Sequence, residues 1–197
     1  MTENNIKVLF LGESGVGKSS LIVRYFEDKF EENIIPSRTS SYFKKIINNG
    51  GKKYNFDIFD TPGAQNLRAL TKVFMKDVKI IVLVYDITIK GSFLDLQYWL
   101  DVILESYPET YLILVGNKHD LSTNRKIKES TGTKFAEIIK AEFTEISAKD
   151  NYGWKDFLDN AFNNYIKNIK NIKGEDEYLD DDFYDRSVDF DNSIIYI

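Results

Sequence analysis

Short runs of apolar and β-branched residues alternate along this chain with longer stretches in which apolar residues recur every three or four positions. The runs at 6–11, 79–86, 111–116 and 143–146 predict buried strands. Segments 41–47 and 52–59 flank Asn48-Asn49-Gly50-Gly51 and predict a β-hairpin. Helices are predicted at 18–27, 67–75, 93–106, 133–140 and 154–168. The order predicts a three-layer α/β sandwich, with a six-stranded, mostly parallel sheet that binds ligands at the carboxyl ends of its strands.

Charge divides the chain into two parts. Residues 174–197 hold nine acidic residues and one arginine, a net charge of −8, whereas residues 1–173 carry +3. The acidic part has too little apolar material for a core of its own, so we expect one domain at 1–173 and a disordered tail at 174–197. We interpret the tail as a solvating extension in preference to a segment that docks on a basic surface.

The composition and the N-terminus also indicate the cellular compartment. The chain has no cysteine, which excludes disulfides, thiolate metal sites and thiol catalysis. Its N-terminus matches neither a signal peptide nor a myristoylation site, and no apolar run reaches the length that spans a bilayer. We therefore expect a cytoplasmic protein.

A glycine-rich segment follows the first predicted strand. Gly12-Glu13-Ser14-Gly15-Val16-Gly17-Lys18-Ser19 matches the phosphate-loop pattern GxxxxGK[ST] between a strand and a helix. The glycines let the backbone curl so that N–H groups point at phosphate oxygens. Lys18 would reach the β- and γ-phosphates, and the Ser19 hydroxyl would bind Mg²⁺. On this loop alone, an ATPase or a kinase remains possible.

Two later segments point to guanine. Asn117-Lys118-His119-Asp120 and Ser147-Ala148-Lys149 each follow a predicted strand. A carboxylate such as Asp120 can accept both the N1–H and the 2-amino N–H of guanine, whereas adenine would leave that charge unpaired. With the phosphate loop and Asp60-Thr61-Pro62-Gly63, these segments resemble the ordered motifs of Ras-superfamily small GTPases over about residues 5–170. An ATPase or kinase is disfavoured, because the later segments would then have no role.

The resemblance implies a P-loop G domain that binds GTP or GDP with Mg²⁺. Asn117 would tie loops together, Lys118 would lie along the purine, the Ala148 N–H would meet the guanine carbonyl, and Phe30 would close the edge of the base. The implied nucleotide-binding residues are Glu13, Ser14, Gly15, Val16, Gly17, Lys18, Ser19, Ser20, Phe30, Ser37, Gly63, Asn117, Lys118, Asp120, Ser147, Ala148 and Lys149. The implied Mg²⁺ ligands are Ser19, Ser37 and Asp60.

Further segments resemble the Rab branch of this superfamily. They are Val84-Tyr85-Asp86-Ile87-Thr88, Ser92-Phe93 and Trp99-Leu100, and Tyr42, Phe59 and Phe74 match the aromatic triad of the Rab switch surface. This implies a monomeric molecular switch in vesicle trafficking or signalling, with effector, exchange and activating proteins as partners and no nucleic acid. In Rab relatives, C-terminal cysteines are prenylated, and this chain lacks them. We therefore expect no direct lipid anchor, and we expect any membrane association to occur through protein partners.

The resemblance identifies two switch segments, 34–38 and 60–66, and these depart from the family where hydrolysis is concerned. The resemblance implies catalytic roles for Lys18, Ser37 and Gly63. Ala64 stands where the family has its water-orienting glutamine, and the candidate to replace that side chain is Gln65. Gln65 is one residue along, and Pro62 stiffens the approach to it. We expect hydrolysis slower by a factor of about ten to a thousand. The alternative is a GTP-binding scaffold or adaptor that does not hydrolyse its nucleotide.

Overall fold

The protein is described here by a computed structural model that covers residues 4–32, 41–63 and 72–172. Its strands within these residues are β1 (Asn4–Leu11), β2 (Ser41–Asn49), β3 (Lys52–Asp60), β4 (Val78–Asp86), β5 (Tyr111–Asn117) and β6 (Glu142–Glu145). Its helices are α1 (Lys18–Glu27), α2 (Lys90–Leu94), α3 (Leu96–Ser106), α4 (Glu129–Ile138) and α5 (Trp154–Ile172). A 3₁₀-helix spans His119–Asn124.

The described strands form one sheet in the order β2-β3-β1-β4-β5-β6, in which β2 runs antiparallel to β3 and the other pairs are parallel. Val8 and Phe10 of β1 pack into the core with α1 and α5, whereas Leu9 and Leu11 pack into the core with α2, α3 and α4. Strands β4 and β5 are buried on both faces, so their sequences are nearly continuous apolar runs. The predicted three-layer α/β fold is confirmed.

The predicted hairpin is present, and a pair of glycines closes it. Strands β2 and β3 pair as far as Asn49 and Lys52, which leaves Gly50 and Gly51 as a two-residue loop. Their φ angles are 57° and 76°, in the left-handed region that such a turn requires and that glycine adopts without steric cost.

The predicted helix at 93–106 is wrong at its start. The structure has α2 from Lys90 and a break at Asp95 before α3. Ser92 holds this earlier start, because its hydroxyl accepts a hydrogen bond from the Asp86 N–H at 3.0 Å and donates one to the Ile89 carbonyl at 2.7 Å. The position at which α2 begins therefore depends on hydrogen bonds to the end of β4 and not on the spacing of apolar residues.

The predicted helix at 133–140 is displaced, since α4 spans Glu129–Ile138 and includes Gly132. Glycine lowers helix propensity, but a Cβ at Gly132 would lie 2.6 Å from both the Phe143 ring and the Tyr85 hydroxyl. Close packing of α4 on the sheet thus overrides propensity. The last helix, α5, continues to Ile172 rather than ending at residue 168.

Two predicted segments fall wholly or mostly outside the described residues. Of the helix predicted at 67–75, only 72–75 are described, and 72–74 of these are helical. The acidic segment 174–197 is outside as well, so the domain boundary at 173 stays a prediction. Among the described helices, none is long and apolar enough to cross a membrane.

Candidate nucleotide-binding site

The loop that joins β1 to α1 needs glycine for reasons of space as well as conformation. Gly12 and Gly17 have φ angles of 144° and 98°. A Cβ at Gly12 would lie 2.1 Å from the Val84 carbonyl oxygen, and one at Gly17 would lie 2.2 Å from the Asn117 amide nitrogen. The loop therefore packs directly on the carboxyl ends of β4 and β5. A curled backbone at a helix N-terminus is an arrangement that binds phosphate.

Lys18 is the first residue of α1, and only 6% of it is exposed. Its Nζ donates hydrogen bonds of 2.9 Å to the carbonyl oxygens of Gly12 and Glu13. Burial lowers the pKa of Lys18 to about 8, although the charges of Asp60 and Glu13 act in the opposite direction. A Cβ on Gly63 would come within 2.5 Å of this Nζ. The lysine is thus a desolvated cation that a bound anion would stabilise.

Ser19 and Asp60 place a hydroxyl beside a carboxylate. The Ser19 Oγ donates to Asp60 Oδ2 at 2.5 Å, and Asp60, the last residue of β3, is buried. The next residue, Thr61, fixes this strand end by donating its Oγ1 to the Phe10 carbonyl at 2.6 Å. Oxygen ligands of this kind suit Mg²⁺, which retains several waters when it binds a protein.

The Ser19 and Asp60 oxygens would need additional ligands to complete a Mg²⁺ site. Among the described residues, no group of three or more His, Cys, Asp or Glu side chains could hold a metal ion. The residues present therefore fit a Mg²⁺ ion that shares its coordination with water and phosphate. The third predicted ligand, Ser37, lies outside the described residues, as do Ala64 and Gln65.

Asn117 joins the phosphate loop to the loop after β6. Its Nδ2 donates to the Val16 carbonyl at 2.8 Å, and its Oδ1 accepts from the Ala148 N–H at 3.2 Å. The residue is the last of β5 and is buried. One side chain at a strand end thus connects three segments that are far apart in the sequence.

Asp120 is oriented by Ser147. The Ser147 Oγ donates to Asp120 Oδ1 at 2.7 Å and accepts from the Asp150 N–H at 3.0 Å. A carboxylate can accept about four hydrogen bonds, so the bond from Ser147 orients the group without filling its capacity. The predicted base reader is therefore held in place by the second predicted base-reading segment.

Two lysines at the base-reading end have acidic partners. Lys118 Nζ lies 2.7 Å from Oδ2 of the buried Asp86 at the end of β4, and the Lys118 backbone is left-handed, with φ 69°. Lys149 Nζ lies 2.7 Å from Glu32 Oε1. The hydrogen bond between them raises the pKa of Lys149 and lowers the pKa of Glu32. The second pair links the loop after β6 to the segment that follows α1.

These segments surround one cavity of about 480 Å³, within the usual range of about 300–1,000 Å³ for small-molecule sites. The predicted residues that line it are Ser14, Gly15, Gly17, Lys18, Ser19, Ser20, Phe30, Gly63, Asn117, Lys118, Asp120, Ala148 and Lys149. Glu13, Val16 and Ser147 lie behind the lining, where they bind Lys18, Asn117 and Asp120.

Sequence reasoning missed several residues of this site. Glu31, Glu32, Thr61 and Leu121 also line the cavity. Their signal was position alone, because each is adjacent to a predicted site residue or lies one residue beyond it. Asp86 belongs to a segment that resembles the Rab branch, but that resemblance does not indicate its ion pair with Lys118 at the ligand-binding edge of the sheet.

The predicted aromatic triad forms one cluster. The ring centroids of Tyr42 and Phe59 are 5.3 Å apart, and those of Phe59 and Phe74 are 6.1 Å apart. Tyr42 is 54% exposed and its hydroxyl donates to Asp57 Oδ1 at 2.6 Å. The cluster thus presents aromatic surface to solvent.

Comparison with known proteins identifies the family of this chain. A model of the Ras family matches residues 7–171. The chain is 38% identical over 157 residues to Ras-related protein Rab-21 of Homo sapiens, which covers 79% of this chain and 70% of the relative. It is 36% identical to Ras-related protein Rab-31 of Homo sapiens over 151 residues, which are 76% of this chain and 77% of the relative. For Ras-related protein RabC of Dictyostelium discoideum the values are 32% over 170 residues, with 85% and 87% covered. The chain therefore belongs to the Ras family and is a Rab-like small GTPase.

Proposed function

We propose that this cavity binds GDP and GTP with Mg²⁺, and that the protein acts as a monomeric switch whose turnover is slow. The observation that carries the proposal is the convergence of phosphate-binding and base-reading segments on one cavity, joined by Asn117. A phosphate loop alone would suit any P-loop nucleotide protein. Here Asn117 joins the phosphate loop to Ala148, and Ser147, the neighbour of Ala148, orients Asp120. This link to a carboxylate that can read the base favours guanine.

The phosphate end would work through charge and backbone donors. Lys18 is a buried cation beside Gly12 and Glu13, so phosphate oxygens would replace the solvation that burial removed. Ser19 and Asp60 would hold Mg²⁺, Asp60 through water, and the bound ion neutralises charge on the β- and γ-phosphates. The backbone N–H of Gly63, which lies against Lys18, would contact the γ-phosphate, as would Ser37.

The base end would work through hydrogen bonds that only guanine satisfies. Asp120 would accept the N1–H and 2-amino N–H, and the Ala148 N–H would meet the guanine carbonyl. Phe30, Lys118 and Lys149 line the cavity and would flank the ring and its edge. An adenine base would leave the Asp120 carboxylate facing no donor, which is costly in a partly buried site.

Slow turnover is inferred from the second switch segment. Ala64 has no group that can align an attacking water, and Pro62 limits how far the backbone can bring Gln65 into that place. The GTPases that this chain resembles have a threonine at the position of Ser37. Ser37 keeps the hydroxyl for Mg²⁺ but lacks the methyl group that restricts the threonine rotamer. Effector, exchange and activating proteins would bind at the two switch segments and the aromatic cluster, and would bring the protein to membranes.

The test is to identify the nucleotide carried by freshly purified protein and to follow one round of GTP hydrolysis. We expect GDP or GTP in the site, displacement by guanine and not adenine nucleotides, and slow but measurable hydrolysis. Equal competition by ATP would overturn the guanine assignment. Complete absence of hydrolysis, with GTP still bound, would favour the scaffold function that Ala64 also permits.

A further inference from the structure

Arg24 lies on α1, outside the lining of the cavity, yet it is bound to the backbone of the base-reading loop. Its Nε donates to the Ala148 carbonyl at 2.8 Å, and its Nη2 donates to the Lys149 carbonyl at 3.0 Å. Its Nη1 donates to the Asp28 carbonyl at 2.8 Å and to Asp28 Oδ1 at 3.2 Å. Only 11% of the side chain is exposed. The guanidinium therefore joins the helix that starts at the phosphates to the loop that would read the base.

The loop that Arg24 binds begins where the sheet ends. It follows β6, a four-residue strand at the edge of the described sheet. Arg24 binds two successive carbonyls of this loop, which fixes two adjacent peptide planes at once. A planar guanidinium has several donors at fixed angles, whereas a lysine ammonium is a single point charge and cannot span both carbonyls in the same way.

The Ala148 N–H has room for a second acceptor. Its bond to Asn117 Oδ1 is 3.2 Å, at the long end of the range for N–H···O bonds. Bifurcated bonds, in which one N–H is shared between two oxygens, occur in proteins and are common at helix termini. A guanine carbonyl oxygen could therefore share this donor, provided that the loop backbone stays where Arg24 holds it.

We propose that Arg24 is a positioning residue for guanine, which acts by holding the backbone of Ala148 in register with the base carbonyl. The inference rests on the proposed function of this cavity and adds to it how the base-reading loop is set. Helix α1 then serves both ends of the nucleotide, with Lys18 at the phosphates and Arg24 behind the base.

The test measures GDP dissociation from the full chain for wild type, Arg24→Gln and Arg24→Lys. The same measurement is made with 6-thio-GDP, which keeps the groups that Asp120 reads but replaces the carbonyl oxygen by sulfur, a weaker acceptor. We expect both variants to release GDP about tenfold faster, because charge-assisted bonds to the loop are lost. Wild type should release GDP more slowly than 6-thio-GDP, and in both variants the ratio of the two rates should approach one.

Inosine diphosphate supplies the internal control, since it lacks only the 2-amino group. The preference for GDP over inosine diphosphate should persist in both variants, because Asp120 is held by Ser147 and not by Arg24. Asp28→Asn is the matched control variant, since it removes a charged partner of Arg24, keeps an Oδ1 acceptor, and suits the left-handed backbone with φ 54°. We expect its GDP release to stay within about twofold of wild type.

Several results would contradict the role of Arg24. One is GDP release within twofold of wild type in both Arg24 variants. Another is an equal fall of both preferences, which would indicate general loosening of the loop. A third is no loss of preference for GDP over 6-thio-GDP. The failure of the proposed function is a separate result, since wild-type protein would then show no preference for GDP over either GDP analogue or over ADP.

Discussion

The base-reading end and the phosphate end of the cavity are built in different ways. At the base end, side chains hold the loops to one another, as Asn117 and Arg24 hold the loop after β6 and Ser147 holds Asp120. At the phosphate end, the central group is Lys18, a buried cation whose pKa burial lowers to about 8. The base end is thus assembled by contacts within the protein, whereas the phosphate end gains a favourable charge balance from its ligand. Substitutions should change selectivity at the first end and affinity at the second.

The largest effect is expected from Asp120→Asn. An amide can no longer accept both donors of guanine, but its NH₂ can donate to the 2-oxygen of xanthine. The ratio of GTP to xanthosine triphosphate affinity should fall by about a thousandfold. Competition binding of the two nucleotides checks this.

Asp150→Asn is the control for that change, because Asp150 adjoins the same loops, is exposed, and contacts Ser147 through its backbone N–H. Its selectivity should match wild type. Unchanged selectivity in Asp120→Asn as well would remove the base-reading role from this end.

Lys18→Ala should weaken all nucleotides together, by about a hundredfold, because it removes charge-assisted hydrogen bonds to phosphate. The preference for guanine should persist. Titration with GDP, ADP and xanthosine diphosphate distinguishes a loss of affinity from a loss of selectivity. The exposed Lys134 of α4 gives a matched control, and Lys134→Ala should bind as wild type does. A change of selectivity in Lys18→Ala would contradict the separation of the two ends.

Hydrolysis concerns the phosphate end of the cavity alone. Ala64→Gln should raise single-turnover GTP hydrolysis by about tenfold or more, with GDP affinity and selectivity unchanged. Gln65→Ala should have little effect. Rapid hydrolysis in wild type that collapses in Gln65→Ala would show instead that Gln65 aligns the water.

The smallest expected effect is a dependence of affinity on pH. In the nucleotide-free protein the pKa of Lys18 is about 8, and phosphate charge would raise it. Above pH 8 the free site loses its proton while the bound site keeps it, so binding takes up a proton and affinity falls as pH rises. We expect about a fourfold loss of GDP affinity from about pH 7 to pH 8.5. Calorimetry in buffers with different ionisation enthalpies measures the proton uptake.

Lys18→Arg is the control for this pH effect, because a guanidinium stays protonated in this range. Its residual binding should not change with pH. Proton release from the wild-type protein on binding would contradict the sign worked out for Lys18.

The sequence was informative where function depends on neighbours along the chain. The phosphate loop, the hairpin glycines and the order of strands are local patterns, and the sheet confirms the fold that they predict. The sequence was less informative where a side chain binds a residue that is distant along the chain. Arg24 and Ala148 are 124 residues apart, and Lys118 meets Asp86 from a different strand. No periodicity reports such pairs.

Helix boundaries show the same limit on a smaller scale. Gly132 reads as a weak helix residue, yet α4 contains it because the Phe143 ring leaves no room for a Cβ. Ser92 reads as a polar residue outside an apolar face, yet its bonds to Asp86 and Ile89 hold the start of α2. Both boundaries depend on what the helix packs against, and the local sequence does not contain that information.

The antiparallel hairpin brings the roots of the two switch segments together. Ser41 and Asp60 are direct partners across β2 and β3. The first switch segment, 34–38, ends three residues before Ser41, and Asp60 is the first residue of the second switch segment, 60–66. Paired Cα atoms in an antiparallel ladder are about 5 Å apart. A displacement of Ser41 would therefore act on Asp60, and the reverse, through the backbone pairing of β2 and β3. It would not have to pass through the hydrophobic core.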